Sequence, residues 1–101
     1  MIATSSLLRA YASQYAVTRG LAPSSVKAHR YVINSLARFL QREPERSDLA
    51  RDTINAWLFA ELSAGLDANT VHTRRRTLLT LWRDAFEESW VDSAPARIRK
   101  I

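Results

Sequence analysis

The chain has 101 residues, with 15 Lys and Arg against 10 Asp and Glu, 47% hydrophobic residues and no cysteine. This length supports one small hydrophobic core and excludes a second domain. The absence of cysteine excludes disulfides, cysteine nucleophiles and thiolate metal sites. No apolar stretch reaches the about 18 residues that a membrane span needs, and the first residues do not form a signal peptide. We therefore expect a cytoplasmic protein that does not enter a membrane.

Only 2 Gly and 3 Pro interrupt the chain, and its apolar residues recur at helical spacing, which predicts an all-α fold. Four helices are predicted, at about Ser5 to Arg19, Pro23 to Arg42, Asp52 to Ala64 and Ala68 to Trp90. Thr4 or Ser5 caps the first helix, and Gly20 ends it. Residues 1–93 form the domain, and residues 94–101 are predicted to be a tail, a short extra turn or the start of a linker.

The apolar stripes of these helices predict how they pack. Val32 and Phe39 lie off the main stripe of the second helix, so this helix is expected to touch two neighbours. The third helix has its apolar side at Ile54, Trp57, Leu58 and Leu62. The three Trp residues all fall at or near apolar positions and are predicted to be core residues.

An internal repeat has an offset of 45 residues, because residues 20–26 resemble residues 65–71 and each segment opens a long helix. Arg30 then aligns with Arg75, and Arg38 aligns with Arg83. The repeat predicts two helical hairpins. The alternative explanation is that any two amphipathic helices that follow a Gly-Leu turn look alike.

The charges are segregated along the chain: residues 1–42 and 69–83 contain basic but no acidic residues, and these segments include the starts of the two long helices. Free N–H groups at helix amino ends, hydroxyl and amide side chains, and Arg guanidinium groups are suited to phosphate oxygens and guanine edges. The alternative explanation of these basic segments is an ordinary polar helix face that is exposed to solvent. The acids of residues 44–52 and 84–92 are expected to be solvated loop and helix-end charges, and two His without cysteine predict no metal site.

The order of these elements resembles the amino-terminal core-binding, or SAM-like, domain of the tyrosine recombinases, also called phage integrases. The resemblance covers nearly the whole chain and is strongest from Gly65 through Thr70, Leu81 and Trp82 to Pro95. It implies a four-helix domain that forms one half of a clamp around duplex DNA, bound through the second and fourth helices, with other recombinase subunits as partners and a nucleoid location when bound. No small-molecule ligand or cofactor is implied.

The resemblance assigns DNA contacts at the amino ends of these two helices. Departures from the family pattern at His29 and Arg75 leave the roles of those two positions open, and His29 is predicted to lie at the edge of the core. The candidate DNA-binding residues are Ser24, Ser25, Lys27, Arg30, Tyr31, Asn69, Thr70, His72, Thr73, Arg74 and Arg76.

The chain is not expected to be an enzyme. The family's catalytic Arg, His-x-x-Arg and Tyr belong to a separate carboxyl-terminal domain, and the His72 to Arg75 segment has that spacing without the surrounding sequence. A second hypothesis is a helical protein-interaction or oligomerisation module, with Tyr11, Tyr15, Val32 and Phe39 as its contacts. A helix-turn-helix regulator is a third alternative, which the two helices of about 20 residues disfavour.

Overall fold

The computed structural model describes residues 5–100 and confirms the all-α prediction. Its helices are α1 (Leu8–Arg19), α2 (Pro23–Leu40), α3 (Arg51–Ser63) and α4 (Ala68–Glu87), with a 3₁₀ turn at Arg46–Asp48. Within residues 5–100 no strand forms, and no helix is long and apolar enough to cross a membrane. Thr4, one of the two predicted caps, lies outside the described residues.

The core lies where α4 packs against α1, α2 and α3. Val71, Leu78, Leu81 and Ala85 of α4 are buried because they follow one another at helical spacing along the face that meets the other helices. Trp57, Trp82 and Trp90 are each almost completely buried, as predicted. Leu62 departs from its predicted core position and is 39% exposed, while Glu61 beside it is buried.

Three helix ends differ from the predicted bounds by two residues or more. α1 begins at Leu8, because Ser5 Oγ accepts from the Leu7 N–H and Leu8 N donates to Pro44 O, so the residues before α1 pair with another segment instead of extending the helix. α2 ends at Leu40, where Gln41 takes the left-handed conformation with φ 58°. α4 ends at Glu87, and the left-handed Ser89 turns Trp90 back into the core.

The 45-residue repeat is reproduced in the backbone of the two helical hairpins. Gly20 N donates to Val17 O and Leu21 N to Ala16 O at the end of α1. The same two hydrogen bonds recur 45 positions later at the end of α3, from Gly65 N to Leu62 O and from Leu66 N to Glu61 O. Both glycines have positive φ, at 61° and 89°, which glycine adopts without a steric penalty. The repeat therefore reflects a shared turn geometry.

The tail has no helix, but it is not frayed. Ile98 is buried in the core cluster, and Arg75 Nη2 donates to the Ile98 carbonyl at 3.1 Å. Asn55 Nδ2 donates to Arg97 O at 3.2 Å, and Arg99 N donates to Asn55 Oδ1 at 2.8 Å. The sequence prediction missed this docking because one isolated apolar residue in a basic segment has no periodicity.

The turn between α2 and α3 is held by Asp48, which is buried although the sequence predicted a solvated acid. Its carboxylate accepts from Arg42 Nη1 and Nη2 at 2.8 and 2.6 Å, and from the Glu45 backbone N–H at 2.7 Å. Burial by itself would raise the pKa of Asp48, but these hydrogen bonds to the charged form outweigh it and lower the pKa below its ordinary value.

We expect Asp48→Ala to lower the free energy of unfolding at neutral pH by roughly 1 to 2 kcal/mol, the usual range for removal of a cap. Because the folded pKa of Asp48 is depressed, its contribution is complete above the unfolded pKa of about 3.9 and is lost as pH falls through the folded value. Urea unfolding at pH 7 and near pH 2 measures this. Asp52→Ala is the control, since Asp52 is 91% exposed in its pair with Arg51; an equal loss in both variants would contradict the prediction.

Candidate nucleic-acid interface

A cleft of about 360 Å³ separates the amino-terminal half of α4 from the middle of α2. It brings together five of the predicted site residues: Tyr31, Asn69, Thr70, Thr73 and Arg74. Thr70, Thr73 and Thr77 follow one another at helical spacing and form one wall, because residues three and four apart share a helix face. Ala28 and Val32 of α2 contribute apolar lining. The cleft therefore combines hydroxyl and amide groups with apolar surface.

The α2 side of the cleft is marked by Tyr31, whose side chain is 54% exposed although it is large and aromatic. Lys27 lies one turn earlier, with Nζ 5.7 Å from the centroid of the Tyr31 ring. This distance permits a cation–π contact between the two side chains. Lys27 and Tyr31 together present a positive charge beside an aromatic ring at the rim of the cleft.

On α4 a basic ridge runs beside the cleft. His72, Arg76 and Arg83 are exposed and share one face of the helix. Within residues 5–100 no ion pair involves Arg76 or Arg83, and none involves Lys27, Arg30 or Arg38 of α2. These five cations are therefore available to an external anion.

The remaining α2 candidates lie apart from the cleft. Ser24 is exposed in the first turn, and Ser25 uses its carbonyl oxygen as a partner of His29 Nδ1 at 2.8 Å. Arg30 is exposed on the side of α2 that faces α1, where it lines a groove with Arg9 and His29. His29 itself is partly buried at this core edge, as predicted, with its ring 5.6 Å from that of Tyr15. Arg30 thus flanks the other edge of the exposed face of α2.

Arg74 is directed inward, into a buried polar network that the sequence did not predict. Arg74 Nη1 donates to Glu61 Oε1 at 2.5 Å, and its side chain is only 22% exposed. Ser35 Oγ also donates to Glu61, while Trp57 Nε1 donates to Ser35 Oγ at 3.0 Å. The network joins α2, α3 and α4. Its signal in the sequence is that Glu61 continues the spacing of Ile54, Trp57 and Leu58, which places a carboxylate in the buried stripe.

One of the two helix amino ends, that of α4, differs from the expectation of free N–H groups. At α4 the Asp67 carboxylate accepts from the Asn69 backbone N–H at 3.0 Å, which caps the helix and places a negative charge at its positive end. At α2 the cap residue is Ala22, which makes no side-chain cap hydrogen bond, so this amino end is uncapped as expected, although Pro23 has no N–H to donate. The Asp67 carboxylate therefore disfavours an anion at the amino end of α4.

Internal pairing sorts the cations of the chain. Arg9, Arg19, Arg42, Arg51 and Arg74 form ion pairs with Glu43, Asp84, Asp48, Asp52 and Glu61. Arg46 and Arg75 are used in other internal contacts, since Arg46 stacks on the Trp90 ring at 4.9 Å and Arg75 binds tail carbonyls. The exposed cations without such a contact lie on α2, α4 and the tail, so the uncompensated positive charge is concentrated there.

Asp84 corrects the prediction that it would be solvated, and its contacts remove Tyr11 from the docking residues of the protein-interaction hypothesis. Tyr11 OH donates to Asp84 Oδ2 at 2.6 Å, Arg19 pairs with the same carboxylate, and Tyr11 stacks on Trp90 with ring centroids 4.5 Å apart. Burial and this hydrogen bond raise the pKa of Tyr11 well above its ordinary value. Tyr11 and Val32 are both buried, so neither is available to a partner protein.

Among residues 5–100 no group of His, Asp and Glu side chains is arranged to hold a metal ion. Comparisons with protein-family models, with curated proteins and with solved structures find no match to this chain.

The buried network predicts that Arg74 stabilises the fold. Arg74→Met leaves the Glu61 carboxylate buried without its cation, and we expect it to lower the free energy of unfolding by roughly 3 kcal/mol. Arg76→Met, two positions along and exposed, is the matched control and should change stability by less than about 0.5 kcal/mol. Adding Glu61→Met to Arg74→Met should recover most of the loss in a denaturant titration. Equal stability of the two single variants would show that the pair is dispensable.

Proposed function

We propose that this chain binds duplex DNA through α2 and α4 and is the core-binding half-clamp of a site-specific recombinase of the tyrosine recombinase class. The observation that carries the proposal is the sorting of charge. Five of the other arginines form ion pairs with acidic side chains of the same chain. By contrast, exposure without any ion pair inside residues 5–100 is shared by Lys27, Arg30, Arg38, Arg76 and Arg83. Exposed cations without internal partners on two neighbouring helices favour a polyanion partner.

The residues around the cleft divide into two chemical roles in this proposal. Lys27 and Arg76 contact phosphate oxygens on the two sides of the cleft. Lys27 acts as a point charge, and Arg76 can donate two parallel hydrogen bonds. Asn69, Thr70 and Thr73 supply the amide and hydroxyl groups that hydrogen-bond base edges, and Tyr31 supplies a ring for a sugar or base. Ser24, Ser25, Arg30 and His72 extend the contacts along the backbone. Arg74 is left out of the surface, because its guanidinium is occupied by Glu61.

Binding is the whole activity proposed for the chain itself. In a recombinase of this class the strand exchange would be carried out by a catalytic domain, and other recombinase subunits would join on the DNA. A half-clamp contacts one side of the duplex, so its own affinity is expected to be low and to depend steeply on salt. The proposed cellular location is the cytoplasm, on the nucleoid.

The protein-interaction alternative is favoured by a different surface from the one the sequence indicated. Phe59 of α3 is 71% exposed, and Leu62 on the next turn is 39% exposed. An exposed aromatic residue next to a leucine is a common element of protein contacts. This second candidate would be favoured if the molecular mass in solution rises with protein concentration in the absence of DNA and if the Phe59→Ser variant does not show that rise.

Lys27→Ala and Arg76→Ala should each weaken binding to a generic duplex of about 30 base pairs without lowering Tm. Each removes one phosphate contact, so the slope of log affinity against log salt should decrease by about 0.9. Arg51→Ala is the matched control, because Arg51 is an exposed Arg of α3 outside the proposed surface. Fluorescence anisotropy at several salt concentrations measures the slopes.

Amide shifts measured by NMR during the same titration locate the surface. They should concentrate in α2 from Ser24 to Tyr31 and in α4 from Asn69 to Arg76, and disappear as salt is raised. Unchanged affinity in both alanine variants would remove this surface from the proposal, and no binding by the parent chain even at low salt would refute the function.

A further inference from the structure

The tail, residues 94–100, runs back along α4 toward the basic end of that helix. Trp82 Nε1 donates to Ser93 O at 2.8 Å, just before the tail begins, and Arg75 Nε donates to Arg99 O at 2.6 Å near its end. From Ser93 to Arg99 the chain therefore passes from the level of Trp82 to that of Arg75, in the direction opposite to the helix. The course of the tail ends next to the turn of α4 that carries Arg76.

Two side chains fasten the tail by its backbone and leave its own side chains outside. Asn55 both donates to Arg97 O and accepts from Arg99 N, which is a two-bond contact with an extended segment. Arg75 donates to the carbonyls of Ile98 and Arg99. Ile98 is 8% exposed and anchors the segment in the core. The side chains of Arg97, Arg99 and Lys100 remain exposed.

The docked tail places its cations near the basic residues of α4. Glu87, Glu88 and Asp92 lie at the carboxyl end of α4, close to where the tail starts, and are exposed. Within residues 5–100 no ion pair joins them to the tail cations. The fasteners instead hold Arg99 against Arg75 and beside the basic ridge of α4. Accumulated like charge opposes folding by self-repulsion, and a polyanion on the same side removes that cost.

We propose that the docked tail is part of the nucleic-acid surface and that Arg99 and Lys100 contact the phosphate backbone of the duplex next to the α4 contacts. Asn55 and Arg75 are positioning residues, which fix the tail cations in place without touching the nucleic acid. The inference rests on the proposed function and extends it from two helices to a third element. It also gives Arg75 a role, since its donors are occupied by the tail.

Asn55→Ala tests the positioning step, because it removes the fastener without changing any charge. Ser63→Ala, an uncharged exposed position on the same helix, is the matched control. Hydrogen exchange of the Arg99 amide, which donates to Asn55 Oδ1, should accelerate in Asn55→Ala and stay unchanged in Ser63→Ala. Affinity for a 30-base-pair duplex at low salt should fall about threefold in Asn55→Ala alone, as expected for roughly one phosphate contact.

A double-substitution cycle identifies the cations. Arg99→Ala with Lys100→Ala should lower the salt slope by about 0.9 for each phosphate that is no longer neutralised. Asn55→Ala should then have no further effect in that background, because the cations that it positions are gone. If the parent binds DNA but Asn55→Ala and the tail variants bind equally well, the tail inference is overturned and the helix surface stands. If the parent does not bind at low salt, both proposals are overturned.

Discussion

The buried carboxylate of Glu61 is the contact on which the arrangement of three helices depends. It accepts from Ser35 of α2 and Arg74 of α4 while belonging to α3, and Trp57 completes the network through Ser35. A buried charge is tolerated only when paired and hydrogen-bonded, so these helices must keep the positions that satisfy it. Asp84 does the same near the other end of α4, where it joins Tyr11 and Arg19 of α1. Together the two carboxylates tie α4 to the other three helices.

The same ion pairs determine which positive charges on the surface remain unpaired. Each arginine that pairs with a buried acid has its charge offset by that acid, so the uncompensated positive charge of the surface lies on the cations that have no such partner. Lys27 and Arg76 stay outside because no acid of residues 5–100 pairs with them. Surface cations without partners keep their flexibility and hydration until an anion arrives, which makes their contribution sensitive to salt.

The sequence was sufficient to predict the helices, because local periodicity and the Gly20 and Gly65 turns determine them. It was not sufficient for contacts between residues far apart in the chain. Arg74 looked like a surface cation because its partner Ser35 lies 39 positions earlier, and an acid 13 positions away on another helix cannot be paired by spacing alone. The docking of the tail was hidden for the same reason, since Asn55 and Arg99 are 44 positions apart. Glu61 has a local signal, because it continues the spacing of Ile54, Trp57 and Leu58, but Leu62 was predicted on that face in its place.

The repeat shows how two similar hairpins come to differ. Their turns share the same hydrogen bonds, so Arg30 of α2 and Arg75 of α4 occupy equivalent positions. Arg30 is exposed, whereas Arg75 gives its donors to the carbonyls of the tail. The Arg75 guanidinium is thereby occupied, but the segment that it holds ends in Arg99 and Lys100, whose side chains are exposed. In the second hairpin, the helix cation Arg75 is occupied by the tail, and the tail adds the exposed cations Arg99 and Lys100. The positive surface therefore extends beyond the two helices.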